Sequence, residues 1–175
     1  MTEKMRSRLR FNFGFLLESD LGTSREIELN YPEVRVGRDV ELRPLEGMFQ
    51  ATHTSKGLYL QGELNTTINV ECTRCLAKLR LPVTIKLDDL FYYPRSAAPE
   101  GENFVGEDGF IDLAPLLREL SLLAVPMQVL CRPDCQGICI ECGQNLNEGL
   151  CACDRGAIDP RLAALKALLD EEIQN

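Results

Sequence analysis

Leu58-Tyr-Leu-Gln-Gly-Glu-Leu64, then Thr66-Thr-Ile-Asn-Val-Glu71, Cys72-Thr-Arg-Cys75 and Leu79-Arg-Leu-Pro-Val-Thr-Ile-Lys-Leu-Asp-Asp-Leu-Phe-Tyr92 decide the fold. The first segment reads as a strand entered through Lys56-Gly57. The next two strand-like runs flank a cysteine pair, so Cys72–Cys75 is expected in the tight turn of a hairpin. Pro82 cannot donate to a ladder, which puts its strand at a sheet edge or a bulge.

Upstream, Phe11, Phe13, Phe15 and Leu17 alternate with Asn12, Gly14 and Leu16, a period of two that predicts a strand. Ile27 and Leu29 alternate with charges as in a half-buried strand, and Val34–Pro44 is a weaker strand. His53, the one histidine, stands in polar Ala51-Thr-His-Thr-Ser55 and reads as a surface loop residue. Downstream, Pro94–Gly109 reads as a flexible acidic loop with Phe104 as its anchor. A helix follows: Asp112 can cap it, Pro115 fits its first turn, and Leu113, Leu116, Leu117, Leu120 and Ala124 keep helical spacing up to Pro126. Asp159-Pro160 opens a last helix, with Leu162, Leu165, Leu168 and Leu169 on one face. The expectation is α+β with the strands first. Residues 1–93 form an antiparallel β-rich part (a sheet or a partly open barrel), 94–109 the loop, and 110–175 the helix, the cysteine region and the C-terminal helix, in one integrated domain.

A hydrophobic fraction of 45% and a charged fraction of 26% exclude wholesale disorder. No run reaches the ~18 apolar residues of a membrane helix. Phe11–Leu17 is closed at once by Glu18 and Asp20, a poor signal peptide, so a cytoplasmic protein is expected. The net charge of −8 is uneven. Residues 1–95 carry 14 Lys/Arg against 13 Asp/Glu, and residues 96–175 carry 5 against 14. Phosphate contact is carried by Lys and Arg, so any nucleic-acid contact belongs to the first half. Arg74, Lys78, Arg80 and Lys86 could form a basic edge there, or be solvated strand charges. Lys4, Arg6, Arg8 and Arg10 alternate and offer a second basic face.

Eight cysteines outside a secretory context read as metal ligands before disulfides. Cys139-Ile-Glu-Cys142-Gly143 is a zinc knuckle: two intervening residues let both thiolates reach one ion, and the glycine takes the backbone conformation that the turn needs. A structural zinc wants four ligands. One arrangement is two closed sites, Cys72, Cys75, Cys131 and Cys135 with Cys139, Cys142, Cys151 and Cys153. The spacing of Cys151 and Cys153 is unusual for zinc, and a competing arrangement uses Cys131, Cys135, Cys139 and Cys142 as one site. All-sulfur sets suit structural zinc, whereas a catalytic ion keeps an open position. A thioredoxin-like dithiol should open a helix, yet strand-like sequence follows Cys75. His53 supports no Ser/His/Asp set, and neither a glycine-rich phosphate loop nor paired carboxylates stand out, so no enzyme is expected.

These residues resemble the YceD family of large ribosomal RNA subunit accumulation proteins. The resemblance is carried by Glu71-Cys-Thr-Arg-Cys75, Asp108-Gly-Phe-Ile-Asp-Leu113, Leu117-Arg-Glu-Leu-Ser-Leu-Leu-Ala-Val-Pro126, the tail from Leu130 to Gly149, and Asp159-Pro-Arg-Leu-Ala-Ala-Leu165. Leu120 stands where such proteins usually carry an acid. The resemblance implies a non-enzymatic cytoplasmic or plastid factor, with large-subunit ribosomal RNA or a ribosomal protein as partner and no small-molecule substrate. It also implies the pairing of Cys72/Cys75 with Cys131/Cys135, because shorter-tailed members keep the first pair and hold His or Cys near the position of Cys131. Two other classes stay open, a zinc-stabilised protein-docking adaptor without RNA contact and a Cys72/Cys75 dithiol oxidoreductase.

Overall fold

In the computed structural model, residues 8–153 are described. The elements are β1 (Arg10–Asn12), α1 (Gly14–Leu17), β2 (Ser24–Tyr31), β3 (Val34–Arg35), β4 (Glu41–Thr54), β5 (Gly57–Glu71), β6 (Lys78–Tyr92), β7 (Phe110–Asp112) and α2 (Ala114–Leu123). The fold is α+β. Two compact units divide the described chain. One holds the residues up to Thr73 with Ala77–Cys131, and the other holds Arg74–Leu76 with the residues from Arg132 on.

In the first unit, β5 and β6 form the expected hairpin, but as two continuous 15-residue strands in unbroken antiparallel register from Gly57↔Tyr92 to Glu71↔Lys78. The sheet runs β2-β4-β5-β6 with β3 beside β4, and β1 pairs with β7 apart from it. Strand β6 has one neighbour, so Pro82 lies on an edge, where its missing N–H leaves no ladder partner unsatisfied. One face of the sheet is buried: Leu58, Leu60, Leu64 and Ile68 of β5, Val83, Ile85, Leu87 and Phe91 of β6, and Leu42, Leu45, Phe49 and Ala51 of β4. Phe13, Leu16, Val105, Ile111, Leu113, Leu116 and Leu117 join the same core. The opposite face carries polar side chains, the alternation of an antiparallel sheet wet on one side.

Strand β4 is much longer than its sequence suggests. Pro44 and Gly47 break the apolar pattern, and the register between β4 and β5 shifts between Leu42 and Leu45, a bulge that accommodates the proline. His53 therefore lies near the end of a strand and not in a surface loop. Its backbone N–H donates to Thr23 O (2.8 Å), Gly22 N–H donates to its carbonyl (2.8 Å), and its Nδ1 lies 2.9 Å from Ser19 O.

The predicted Phe11–Leu17 strand is another correction. Only Arg10–Asn12 is extended, and Gly14–Leu17 is a helical turn. Phe13 and Leu16, three apart, are both buried while Phe15 is 47% exposed. A helical turn buries that pair together, whereas a strand would send them to opposite faces. In the 94–109 loop the buried anchor is Val105, not Phe104, which is exposed beneath the Arg95 guanidinium. Backbone bonds from Tyr92 N to Asn103 O (2.9 Å) and from Val105 N to Tyr92 O (3.0 Å) tie the segment to β6. Leu113 holds the N-cap position of α2, and the expected cap residue Asp112 lies one residue before it, where its Oδ1 accepts from Ala114 N (3.0 Å). The predicted helix from Asp159, like Lys4 and Arg6, lies outside the described residues.

Candidate metal centres

The sulfurs of Cys72, Cys75, Cys131 and Cys135 lie within 4.8 Å of one another, and so do those of Cys139, Cys142, Cys151 and Cys153. A tetrahedral ion with Zn–S near 2.3 Å holds its sulfurs about 3.8 Å apart, a spacing compatible with that limit. Each could hold a metal ion. Cys131 and Cys135 gather with the hairpin cysteines and not with Cys139 and Cys142.

Local turns aim these sulfurs. Gly143, after Cys142, has φ +74° and its N–H donates to Cys139 O at 2.8 Å. The hairpin knuckle repeats the design with a different residue: Leu76, after Cys75, has φ +60°, the one left-handed non-glycine position among the described residues. Cys72 N–H donates to Ala77 O (2.9 Å) and closes that turn. A left-handed residue with a Cβ costs about 1–2 kcal/mol, and Leu76 is exposed. Leu76→Gly is therefore expected to stabilise the metal-loaded protein by about 0.5–1 kcal/mol, after the greater unfolded-state freedom of glycine is deducted. Urea unfolding would read this, and a lowered midpoint would mean that the leucine side chain makes a stabilising contact.

The second unit shows why a metal fits. Among its described residues, the buried side chains are Cys75, Cys135 and Cys139, with no aliphatic core around them. So small an apolar interior cannot offset chain entropy, and small units of this kind rely on metal or disulfide staples. Hydrogen bonding to Cys142, with burial and Cys151 adding to it, pushes the Cys153 thiol up to about 12. Sulfurs this close resist ionising together until a cation joins them. Asn147, which sequence reading missed, organises the unit. Its Oδ1 accepts from Gln136 N and from the Arg132 guanidinium, both at 2.8 Å, and its Nδ2 donates to Cys135 Sγ at 3.4 Å. Asparagine in a polar tail carries no sequence signal of such a role.

Cys72 is fully buried and follows the last residue of β5, with no helix starting at the pair. That is unlike a reactive dithiol, which is exposed at a helix N-terminus.

The four cations of the predicted basic edge separate. Lys78, Arg80 and Lys86 alternate onto the wet face of β6, where Arg80 faces Asn69 and Lys78 faces Glu71. Lys78 and Arg80 line one depression with Asn69, Val70, Glu71 and Leu79. Lys86 stands six residues beyond Arg80, about 20 Å along the strand, with Glu63 at 3.8 Å. Arg74 is turned to structural use: its Nη1 donates to Cys135 O (3.0 Å), and its own carbonyl accepts from Ile138 N (3.1 Å).

Residues 60–169 match the family model described as large ribosomal RNA subunit accumulation protein YceD. An uncharacterised protein of Mycobacterium tuberculosis (strain ATCC 25618 / H37Rv) is 37% identical over 126 residues, which is 67% of this chain and 58% of that protein. The chain thus spans little more than half of this relative. YlbN, an uncharacterised protein of Bacillus subtilis, is 26% identical over 83% of this chain and 86% of its own length. A chloroplastic homologue of the accumulation protein in Arabidopsis thaliana is 25% identical over 79% of this chain and 54% of its own. No solved structure matches. No helix among the described residues is long and apolar enough to cross a membrane.

Proposed function

The chain belongs to the YceD family of large ribosomal RNA subunit accumulation proteins, and on that premise we propose a non-enzymatic, zinc-holding factor of the cytoplasm. It supports accumulation of large-subunit ribosomal RNA by contacting that RNA, a ribosomal protein, or both. The two sulfur quartets carry the reading. All-thiolate sets suit zinc, and four sulfurs per ion leave no open position for a substrate. Each cysteine of the two quartets is a ligand, and the metal holds the contact surface in shape.

The RNA contact uses the first half of the chain, centred on Lys78 and Arg80, which share a depression at the end of the hairpin. Arg74 and Lys86, the other two cations of the predicted edge, have partners of their own, Cys135 O and Glu63. Affinity for large-subunit RNA fragments across a salt series tests this. Lys78→Ala and Arg80→Ala should each weaken binding at every sequence and lower the salt slope by about one unit. Slopes and affinities equal to wild type would reject the surface.

Ile140 and Leu150, both more than four-fifths exposed in the second unit, favour a second reading, a zinc-stabilised adaptor that docks a protein. Partner binding that persists at salt concentrations where phosphate contacts fail would select it.

A further inference from the structure

We infer that the first unit carries a second nucleic-acid site, a cavity that stacks an unpaired nucleotide of a single-stranded RNA. The cavity, about 430 Å³, is lined by Arg10, Phe11, Asn12, Phe13, Arg25, Ile27 and Phe110. That size suits a planar heterocycle. It lies in the strand pair β1–β7 and the exposed end of β2, apart from the depression at Lys78 and Arg80.

Both arginines are seated on aromatic rings. The Arg10 guanidinium lies 4.5 Å above the Phe110 ring, and its edge is ion-paired with Asp108. The Arg25 guanidinium lies 4.8 Å above the Phe15 ring. No carboxylate among the described residues forms an ion pair with Arg25. An aromatic ring behind a guanidinium fixes its plane and limits the entropy lost when a second planar group stacks on the other face. Half-buried Phe11 and Ile27 supply the apolar floor, and Asn12 an amide that can donate and accept.

The ligand must therefore be planar, π-rich and anionic beside the ring. Unstacked RNA bases fit, since they stack on aromatic rings and arginine planes while their phosphates meet the positive charge. A base inside a duplex has both faces covered and cannot enter. The inference rests on the RNA reading above and adds to it a preference for single strands. It also gives Arg10, the last of the alternating basic residues at the start of the chain, a place in the site.

The test compares full-length wild type, Phe15→Leu, Phe110→Leu and Arg25→Lys, read by fluorescence anisotropy with a labelled single-stranded RNA dodecamer and a blunt duplex of the same length. The leucines keep bulk and the lysine keeps charge, so each removes only a stacking plane. Phe15 is half exposed, so its leucine variant should fold, and unchanged melting would verify this. The expected result is a loss of about fivefold or more in single-strand affinity for each variant, with duplex affinity and salt slope unchanged. Unaltered single-strand binding in Phe15→Leu and Arg25→Lys, with wild type binding well, would overturn the cavity but leave the RNA reading standing. An equal loss on strand and duplex would overturn stacking as the mode. Wild type that binds neither RNA would overturn the RNA reading, and this site with it.

Discussion

Chelating the metal from protein made in zinc-replete medium is expected to release two zinc ions per chain and to abolish amide protection over residues 131–153. Within the second unit, cysteines take the place of a hydrophobic core, so metal binding and folding become one equilibrium. Structural zinc contributes on the order of 10 kcal/mol of apparent binding energy, more than the apolar contacts of so small a unit can replace. Single substitutions should separate the quartets. Cys139→Ser should leave one ion and loosen residues 139–153. Cys72→Ser should also leave one, but speed exchange at the hairpin turn and over residues 126–135 together. Elemental analysis and hydrogen exchange read the two effects. One ion in wild type would sink the two-site arrangement, and none would sink the metal reading. Faster exchange confined to the hairpin in Cys72→Ser would count against a site shared with Cys131 and Cys135.

Phe49→Ala should cost about 3–5 kcal/mol in global unfolding, measured by urea denaturation of metal-loaded protein. Phe49 is 1% exposed in β4, and the Phe11 ring meets it edge-on at 5.9 Å. Across the ladder it faces Gly62, where an added Cβ would stand 2.5 Å from Phe49 Cα. Leu45 of the same strand and Leu64 of the neighbouring β5 are also fully buried, so the neighbourhood has little room to collapse into the void. A cost below about 1.5 kcal/mol would mean that the void is filled by movement of α1 or of Phe11.

Features that depend on near neighbours along the chain are legible in the residues alone. The β5–β6 hairpin was legible because its period of two runs the length of both strands and a cysteine pair marks the turn. The edge position of Pro82 followed from its missing donor, the start of α2 from Asp112 and Pro115, and the knuckle turn at Cys139–Gly143 from its spacing and its glycine. The remaining features depend on residues far apart or on local preferences overridden by packing. Strand β4 reads poorly because Pro44 and Gly47 interrupt it, yet it pairs along its length with β5 and, through its middle, with β2. Ladder bonds on both sides outweigh two unfavourable residues. Phe13 and Leu16 became one buried turn because the core accepts both from the same side. Leu76 holds a left-handed φ that no leucine signals, since closing the knuckle outweighs a cost of about 1–2 kcal/mol. The joining of Cys72 and Cys75 with Cys131 and Cys135, and the meeting of Arg10 and Arg25 at one aromatic cavity, bring together residues 15 to 63 positions apart, a proximity that spacing along the chain does not encode.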